Sequence, residues 1–361
     1  MDIIWFSGRK MADLCSTTQK SLGSGLVERG HNLIFVNPDL PGSHTDYSWT
    51  HHSIIASQIP GLKSITLASK MNKWLSANLP KDKTVVILDW RIAKQLTKTL
   101  QKHKIPWILM DRSPPADSNM LAKLQWLYWK KAWKSVRTYQ KIGCVVSQTH
   151  SKFVTRNVRV PQNSIVSIPA GVNTNQFQNG KKSSPLKLCY QGKLDSNRGL
   201  MQLILIHSKL VDIGVDVELY LHGNGDLVTK LANLKNDKIH VTEALESENL
   251  ALCLSGYDVG FLPMPDKRIW RLASPLKRGE YLASGMIVLG MNHTGHQMNN
   301  SDNWLQLFDE SKFVQSSVDF IRNLDLEYLR QYQTDARKYA EANLDWSYSV
   351  AILEDILSKQ Y

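Results

Sequence analysis

Long hydrophobic runs are absent from this sequence of 361 residues. The best apolar segments, such as residues 105–110 and 286–291, fall well short of the roughly 18 residues that span a bilayer. Met1 and Asp2 precede a short apolar run with no small-residue cleavage site, so we expect a first strand there and not a signal peptide. Cysteine is also scarce. The absence of any Cys-x-x-Cys spacing argues against a zinc cluster or a disulfide framework and predicts reduced thiols in the cytoplasm at all four positions: Cys15, Cys144, Cys189 and Cys253.

Acidic residues are missing from one long interval, between Asp117 and Asp195. Thirteen lysines and arginines lie in that interval, and the whole chain carries a net charge of +12, so the remainder is close to neutral. An electropositive region of this kind favours a phosphate-rich partner, which leaves three classes open: an anionic membrane surface, a nucleic acid or a phosphorylated small molecule.

What the sequence does contain is an alternation of short apolar strands and longer helical patterns. This rhythm predicts an α/β protein with parallel, doubly wound sheets. A polar stretch at residues 173–184 interrupts it and indicates a domain boundary nearby, and residues 346–361 have the pattern of a last amphipathic helix. Because ligands of doubly wound sheets bind beyond the carboxyl ends of the strands, the loops that follow predicted strands are the candidate sites.

The first candidate loop spans residues 192–199 and reads GKLDSNRG. It follows a predicted strand and leads into a predicted helix that begins at residue 200. Lys193 and Arg198 flank the turn, and with the N–H groups of the helix N-terminus they could hold a diphosphate without a metal ion. The alternative is a solvated turn with two surface cations, and the loop alone does not decide between them.

The second candidate segment spans residues 274–285 and reads SPLKRGEYLASG. Ser274 suits a helix N-cap, Pro275 the first helical position and Gly285 the C-terminal stop, so a short helix is predicted. Glu280 lies near its middle, where a carboxylate could accept hydrogen bonds from sugar hydroxyls. An ordinary surface carboxylate is the alternative.

Together with Gly171-Val172-Asn173 and Phe177, these segments resemble the retaining glycosyltransferases of the GT-B fold, glycosyltransferase group 1 (family 4). The two cations of the family's diphosphate site are exchanged here, since Lys193 stands in the place of an arginine and Arg198 in that of a lysine. Supporting elements resemble the family in the expected order: Arg29-Gly30-His31, Gly223-Asn224-Gly225 and residues 255–263.

The resemblance implies a GT-B fold of two Rossmann-like, doubly wound domains that face a cleft. Residues 1–170 would form the acceptor domain and residues 171–345 the nucleotide-sugar domain, and the helix at residues 346–361 would cross back onto the first domain. The implied reaction moves a sugar, with retained configuration, from a nucleotide-diphosphate sugar to an envelope, polysaccharide or lipid-linked acceptor at the cytoplasmic face of a membrane. No metal or other cofactor is implied.

The resemblance also assigns residues. Lys193 and Arg198 would stabilise the departing diphosphate, and Glu280 would hold the ribose of the donor. Gly8, after the first strand, would let the backbone approach the phosphates. The full set of implied donor-binding residues is Gly8, Gly192, Gly223, Ser274, Pro275, Leu276 and Lys277.

The sequence departs from the family at three places. The acid expected eight positions before the helix glutamate is replaced by Leu272, with Asp266 as a candidate substitute. The glycine-rich loop of the first domain is reduced to Gly8. Where a histidine is expected to contact the donor sugar, the chain has Asp111-Arg112, and we predict that one of these two residues takes the catalytic position.

The predicted helix at residues 121–141 carries a basic stripe beside three tryptophans, Trp126, Trp129 and Trp133, with Leu124 predicted on the core face. Two interpretations stay open. The indoles extend the core-facing side, which we favour, or they rest with the cations on anionic lipid. The candidate membrane and acceptor surface consists of Lys123, Trp126, Trp129, Lys130, Lys134 and Arg137.

The histidine pairs of the sequence say less about function than the segments described above. His293 and His296 lack an evident third ligand, so no metal site is predicted, and His51-His52 are expected in a loop.

Two other functions compete with sugar transfer. A DNA-modifying or nucleic-acid-binding GT-B protein is disfavoured because no recognition module appears. A catalytically silent GT-B binding scaffold is disfavoured by the retained cations and glutamate.

Overall fold

The computed structural model describes residues 1–12, 16–55, 57, 59, 63–80, 83–115, 120–180, 182, 184–234, 236–299 and 301–360, apart from the side chains of residues 120–122. It contains two compact units. The first comprises residues 1–169 together with 346–361, and the second comprises residues 170–345. Each is built around its own parallel sheet, as the alternation of strands and helices predicts.

The first unit has a seven-stranded sheet in the order β3-β2-β1-β4-β5-β6-β7. Its strands are β1 (Asp2–Phe6), β2 (Asn32–Asn37), β3 (Thr50–Ser53), β4 (Thr84–Asp89), β5 (Trp107–Met110), β6 (Gly143–Val145) and β7 (Ile165–Ser167). Its helices are α1 (Thr17–Glu28), α2 (Lys63–Ala77), α3 (Trp90–Lys102), α4 (Met120–Thr138), α5 (Gln148–Val158) and α13 (Trp346–Ser358).

The central strands of this sheet are covered on both faces. Every residue of β4 is buried, and β1 alternates between two apolar clusters, with Ile4 and Phe6 on one face and Ile3 and Trp5 on the other. Continuous apolar strands are typical of parallel sheets sandwiched between helices, since both faces need apolar contact. Packing on both faces of the sheet thereby fixes the positions of the carboxyl ends of the strands.

Helix α13, although last in the sequence, belongs to the first unit. Gly25 of α1 packs so closely on Val350 that a Cβ atom at position 25 would lie 2.5 Å from a methyl group of that valine. Glu354 lies 2.6 Å from Nη1 of Arg29 and 2.8 Å from Nε2 of His31. These contacts explain why the final segment is amphipathic.

The second unit has a six-stranded parallel sheet in the order β10-β9-β8-β11-β12-β13. Its strands are β8 (Leu186–Gln191), β9 (Val217–His222), β10 (Ile239–Thr242), β11 (Val259–Leu262), β12 (Ile287–Met291) and β13 (Leu305–Phe308). Its helices are α6 (Leu200–Asp212), α7 (Val228–Ala232), α8 (Ser247–Ser255), α9 (Arg268–Arg271), α10 (Leu276–Ala283), α11 (Phe313–Arg322) and α12 (Leu326–Asn343).

Both sheets reverse strand order beside their first strand, between β1 and β4 and between β8 and β11. This is the switch point at which doubly wound sheets bind their ligands. Among the helices within the described ranges, none combines the length and the apolar character needed to cross a bilayer.

Candidate functional site

The loop that follows β8 lies at the switch point of the second sheet and is tied to its neighbours by backbone hydrogen bonds. The N–H of Gly192 donates to the carbonyl of His222 (2.8 Å), and that of Leu194 donates to Asn224 (3.0 Å). The N–H of Gly223 in turn donates to Thr242 of the next strand (2.9 Å). The loops after β8, β9 and β10 therefore form one connected surface.

Two glycines make this close approach possible. Gly192 and Gly223 have φ angles of +125° and +152°, which side-chain-bearing residues rarely adopt. A Cβ atom at Gly223 would lie 1.7 Å from the carbonyl oxygen of Gly192. The two glycines that are predicted at the donor site in this unit, Gly192 and Gly223, thus have a structural reason to be there.

The turn after Lys193 is a short 3₁₀ segment, Ser196–Arg198, that leads through Gly199 into α6. Asp226 fixes it, because its carboxylate accepts hydrogen bonds from the N–H (2.7 Å) and the hydroxyl (2.8 Å) of Ser196. The arrangement places the start of a thirteen-residue helix directly beyond the loop. Exposed N–H groups at such a helix start attract anions.

The two predicted cations differ in their surroundings. The guanidinium of Arg198 lies 4.7 Å from the centre of the Trp270 ring, and its Nε lies 3.6 Å from the carboxylate of Asp195. The amine of Lys193, by contrast, has neither a hydrogen bond nor an ion pair to any residue that the structure describes. Arg198 is held in place, whereas Lys193 has a charge available to a ligand.

A third cation, Lys277, lies beside the same loop. Its amine is 3.2 Å from the hydroxyl of Tyr190 and 4.3 Å from the centre of that ring. The Tyr190 hydroxyl donates to the carbonyl of Lys193 (3.1 Å), and a Cβ atom at Gly192 would lie 3.0 Å from the Lys277 amine. Helix α10 therefore contributes a positive charge to the glycine turn.

Glu280 on α10 is also joined to this loop. Its carboxylate accepts a hydrogen bond from Nε2 of Gln191, the last residue of β8. The backbone N–H of Gln191 donates to the hydroxyl of Tyr281 (2.9 Å). Burial raises the pKa of Glu280 to about 7, although Lys277 and the Gln191 hydrogen bond act in the opposite direction. A carboxyl with its pKa near neutrality, beside fixed cations, is typical of a ligand-binding position.

The start of α10 differs from the prediction in one respect. Pro275 occupies the N-cap position, and the helix begins at Leu276. Ser274 does not cap the helix, because its hydroxyl accepts a hydrogen bond from the N–H of Ala170 (3.1 Å) and so ties the segment at residue 170 to the helix start. The predicted stop is confirmed, since Gly285 follows the helix with a φ angle of +62°.

Asp266, the candidate substitute for the acid that the family has eight positions before its helix glutamate, is already paired with another residue. Asp266 forms an ion pair and hydrogen bonds with Arg271. Leu272 itself is buried. His293 and His296 are also occupied, since their rings lie 3.8 Å apart and each contacts a backbone carbonyl, that of Met264 and that of Met291 respectively.

In the first unit, the loop after β1 packs on the start of α3. A Cβ atom at Gly8 would lie 3.2 Å from the Cβ of Arg91, so glycine is favoured there by packing alone. Arg9 follows, and its guanidinium donates to the hydroxyl of Ser113 (3.4 Å). The loops after β1 and β5 are therefore in contact at the carboxyl edge of the first sheet.

The structure contradicts a catalytic position for Asp111. This side chain is fully buried and accepts hydrogen bonds from the indole N–H groups of Trp129 (2.6 Å) and Trp133 (2.8 Å), with Nε2 of His150 at 3.3 Å. Burial alone would raise the pKa of Asp111, but His150 and the two indoles hold it below its ordinary value. Of the two candidates only Arg112 is partly exposed, with its guanidinium donating to the Thr18 hydroxyl (2.5 Å).

The same contacts decide between the two interpretations of α4. Trp129 and Trp133 are fully buried and belong to the core, so the membrane-facing interpretation is wrong for both of them. Trp126 is partly buried against the same cluster. Leu124, predicted on the core face, is instead 38% exposed, and Leu127 is 53% exposed. These two leucines lie among the exposed cations of the helix: Lys123, Lys130, Lys131, Lys134 and Arg137.

Several residues near the second-unit site were not predicted. Tyr190 and Gln191 end β8 immediately before the glycine turn, and Trp270 lies under Arg198. The position of Gln191 at the carboxyl end of a predicted strand could have indicated a site residue. Nothing in the sequence indicates Trp270, because its contact with Arg198 depends on the path of the chain after β11.

Comparison with known proteins gives the fold. No protein-family model and no curated protein sequence matches the chain. Solved structures do match: a glycosyltransferase from Rickettsia africae has a TM-score of 0.76 at 15% identity, covering 99% of this chain and 98% of that chain. Anabaena HepE, in complex with UDP and glucose, has a TM-score of 0.73 at 11% identity, covering 99% and 100%. WaaG, a glycosyltransferase involved in lipopolysaccharide biosynthesis, has a TM-score of 0.70 at 12% identity, covering 98% and 99%.

These similarities extend over nearly the whole of each chain, and they confirm the predicted GT-B fold of two Rossmann-like units. The fold hosts many activities, so the function has to be argued from the site.

Proposed function

We propose that the protein is a glycosyltransferase that uses a nucleotide-diphosphate sugar as donor. The observation that carries the proposal is the connection between the glycine turn and α10. Gln191 joins Glu280 to the end of β8, and Tyr190 joins Lys277 to the carbonyl of Lys193. Cations for a diphosphate and a carboxylate for a ribose are thereby held on one surface. The structural relative HepE, solved with UDP and glucose, agrees with this donor class.

The chemistry follows from where charge develops. Breaking the bond between the anomeric carbon and the diphosphate places negative charge on the departing oxygens. Lys193, Arg198 and the start of α6 would stabilise that charge without reorganising, which is the largest catalytic contribution in sites of this kind. We propose that Glu280 holds the ribose hydroxyls and Lys277 supports the turn. Retention of configuration and independence from a metal ion are proposed on the resemblance to glycosyltransferase group 1.

Turnover of a donor panel tests this function. Release of nucleotide from UDP-, GDP- and ADP-sugars would be measured by mass spectrometry with a cell-envelope extract as acceptor source. We expect one nucleotide class to be consumed, and Lys193→Ala to lower the rate at least about 100-fold, the usual cost of removing one such electrostatic contact. Lys230→Ala, at an exposed position of α7, is the matched control and should leave the rate unchanged. An inert panel would refute the proposal.

We further propose that the acceptor is an envelope, polysaccharide or lipid-linked glycan reached at the cytoplasmic face of a membrane. The exposed face of α4 supports this, because Leu124 and Leu127 lie among its cations, a combination suited to an anionic lipid surface. With the tryptophans in the core, the leucines would supply the apolar contact. WaaG, a structural relative, acts in lipopolysaccharide biosynthesis, which is consistent with an envelope acceptor.

Vesicle binding tests the membrane proposal. Each cation near an anionic surface contributes about 1 kcal/mol of binding free energy. Replacing Lys130, Lys134 and Arg137 by glutamate should therefore lower the affinity for anionic vesicles, measured by co-sedimentation, at least about 100-fold. The matched control reverses three exposed lysines of the second unit, Lys230, Lys312 and Lys338. Equal binding by both triple variants, or tighter binding of the wild-type chain to duplex DNA than to vesicles, would contradict the proposal.

A further inference from the structure

A pocket of about 450 Å³ opens in the first unit at the carboxyl ends of β2 and β3. Its lining includes His44, Thr45, Trp49, His51, His52 and Ser53. The two histidines expected in a loop are in fact on β3, an edge strand of the sheet. The volume lies within the range of small-molecule sites, roughly 300–1,000 Å³.

A buried carboxylate holds the wall of this pocket. Asp39 accepts hydrogen bonds from Nε2 of His44 (2.8 Å), from the N–H of Met11 (2.9 Å) and from Nδ2 of Asn37 (2.7 Å). Burial alone would raise the pKa of Asp39, but these hydrogen bonds lower it below its ordinary value. The wall is therefore fixed before any ligand arrives.

The hydrogen bonds also fix the tautomer of His44. The indole N–H of Trp49 can only donate, and it lies 3.0 Å from Nδ1 of His44. Nδ1 therefore accepts, and the proton of His44 is on Nε2, where it bonds to Asp39. Both nitrogens are used within the protein, and the ring of His44 stacks on that of His51 at 3.7 Å.

The same reasoning gives His51 a different state. The Nδ2 group of Asn37 faces two acceptors, Asp39 and the carbonyl of Arg9 (3.3 Å), so the amide oxygen of Asn37 is turned toward His51. That oxygen lies 2.9 Å from Nε2 of His51, which must donate. Nδ1 of His51 is left as a hydrogen-bond acceptor, and no residue in the described part of the chain donates to it. Burial, together with His44 and His52, lowers the pKa of His51 despite Asp39, which favours the neutral ring.

The lining identifies the class of ligand. It contains imidazole, indole and hydroxyl groups but neither lysine, arginine, aspartate nor glutamate among the described residues. A phosphate or a carboxylate would find no lysine or arginine as counter-charge there, whereas a neutral polyhydroxylated ring would find hydrogen-bond partners in an imidazole and two hydroxyl groups. The hydroxyl of Ser53 donates to the carbonyl of Asp39 and can still accept a hydrogen bond.

We propose that this pocket binds one neutral monosaccharide unit of the glycan acceptor, with Nδ1 of His51 accepting a hydrogen bond from a sugar hydroxyl. The inference rests on the proposed function, since it names the substrate class on the acceptor side. It assigns to Thr45 and Ser53 the role of further hydroxyl partners.

Saturation-transfer NMR on the full chain tests the pocket. The probes are methyl glycosides of a hexose, an N-acetylhexosamine, a deoxyhexose and a heptose. We expect at least one to give a signal, and Thr45→Trp, which fills the exposed mouth, to reduce that signal more than fivefold. Thr138→Trp, the same change at an exposed position of α4, is the matched control. His51→Phe, which keeps a ring but removes the acceptor atom, should also weaken the signal.

Two outcomes would overturn the proposal: no signal from any glycoside with the wild-type chain, or a signal that persists in folded Thr45→Trp and His51→Phe. Thermal-shift measurements with UDP, GDP and ADP on the same samples separate this failure from that of the proposed function. A nucleotide response without a glycoside response overturns the pocket alone. A glycoside response without a nucleotide response supports the pocket and counts against sugar transfer.

Discussion

The raised pKa of Glu280 makes donor binding depend on pH in a calculable way. If the carboxylate accepts hydrogen bonds from ribose hydroxyls, only its ionised form binds well. With a pKa of about 7, about one tenth of the chains have an ionised Glu280 at pH 6 and about nine tenths at pH 8. The dissociation constant of a nucleotide-diphosphate sugar should therefore be about tenfold higher at pH 6 than at pH 8.

Neither the ligand nor His222 contributes to the pH dependence of binding between pH 6 and pH 8. A nucleotide-diphosphate sugar has no phosphate group that titrates between pH 6 and pH 8. Burial lowers the pKa of His222 to about 4, so this side chain is neutral throughout. Calorimetric titration in wild type and Glu280→Gln is the assay. The variant should bind more weakly at pH 8 and show a nearly flat pH profile.

The same shift affects stability with a definite sign. The folded state keeps a proton on Glu280 up to about pH 7, whereas an ordinary glutamate loses it near pH 4.5. Stability therefore falls as pH rises through this window, by about 1–3 kcal/mol after allowance for partial exposure. Glu280→Gln should be about that much more stable than wild type at pH 8 and nearly equal at pH 4.5. The control is Glu248→Gln, at an exposed position of α8. Parallel pH profiles of urea unfolding for wild type and Glu280→Gln would refute the reasoning.

Two further predictions concern packing. Gly223→Ala should abolish nucleotide binding, and in urea titration it should destabilise the chain by more than about 3 kcal/mol, because its Cβ would meet the carbonyl of Gly192. The control is Gly214→Ala, where φ is +81° but no atom lies within 4 Å of the added Cβ. This variant should lose only about 1 kcal/mol of stability, from backbone strain. Asp111→Asn should destabilise the chain by about 1–3 kcal/mol while leaving turnover per folded molecule unchanged, because it removes a buried carboxylate that accepts hydrogen bonds from two indole N–H groups. A large loss of turnover in folded Asp111→Asn would restore the catalytic assignment that the structure contradicts.

The parts of the site that sequence reasoning found are those with local signals. The turn at residues 192–199 combines glycines with two cations after an apolar strand, and α10 ends at a glycine with positive φ. Such features depend on a few consecutive residues, so their physical chemistry can be read directly from the chain.

The parts that it missed depend on contacts distant in sequence. Gln191 and Glu280 are separated by 89 positions, and β3 is a polar strand that forms only because β2 pairs with it. The resemblance offers Asp111 or Arg112 for the catalytic position, but indoles 18 and 22 residues after Asp111 hold its carboxylate in the core. Those same bonds set the rotation of α4 and leave Leu124 outside.

The most direct test of the central claim is calorimetric titration of UDP, GDP and ADP in the presence of EDTA. Two charge-assisted contacts are worth about 3–6 kcal/mol together, so Lys193→Ala combined with Arg198→Ala should weaken the preferred nucleotide at least about 100-fold. The account predicts binding of one nucleotide to wild type without added metal and this loss in the double variant. Absence of binding by all three nucleotides, or equal affinity in the double variant, would contradict it.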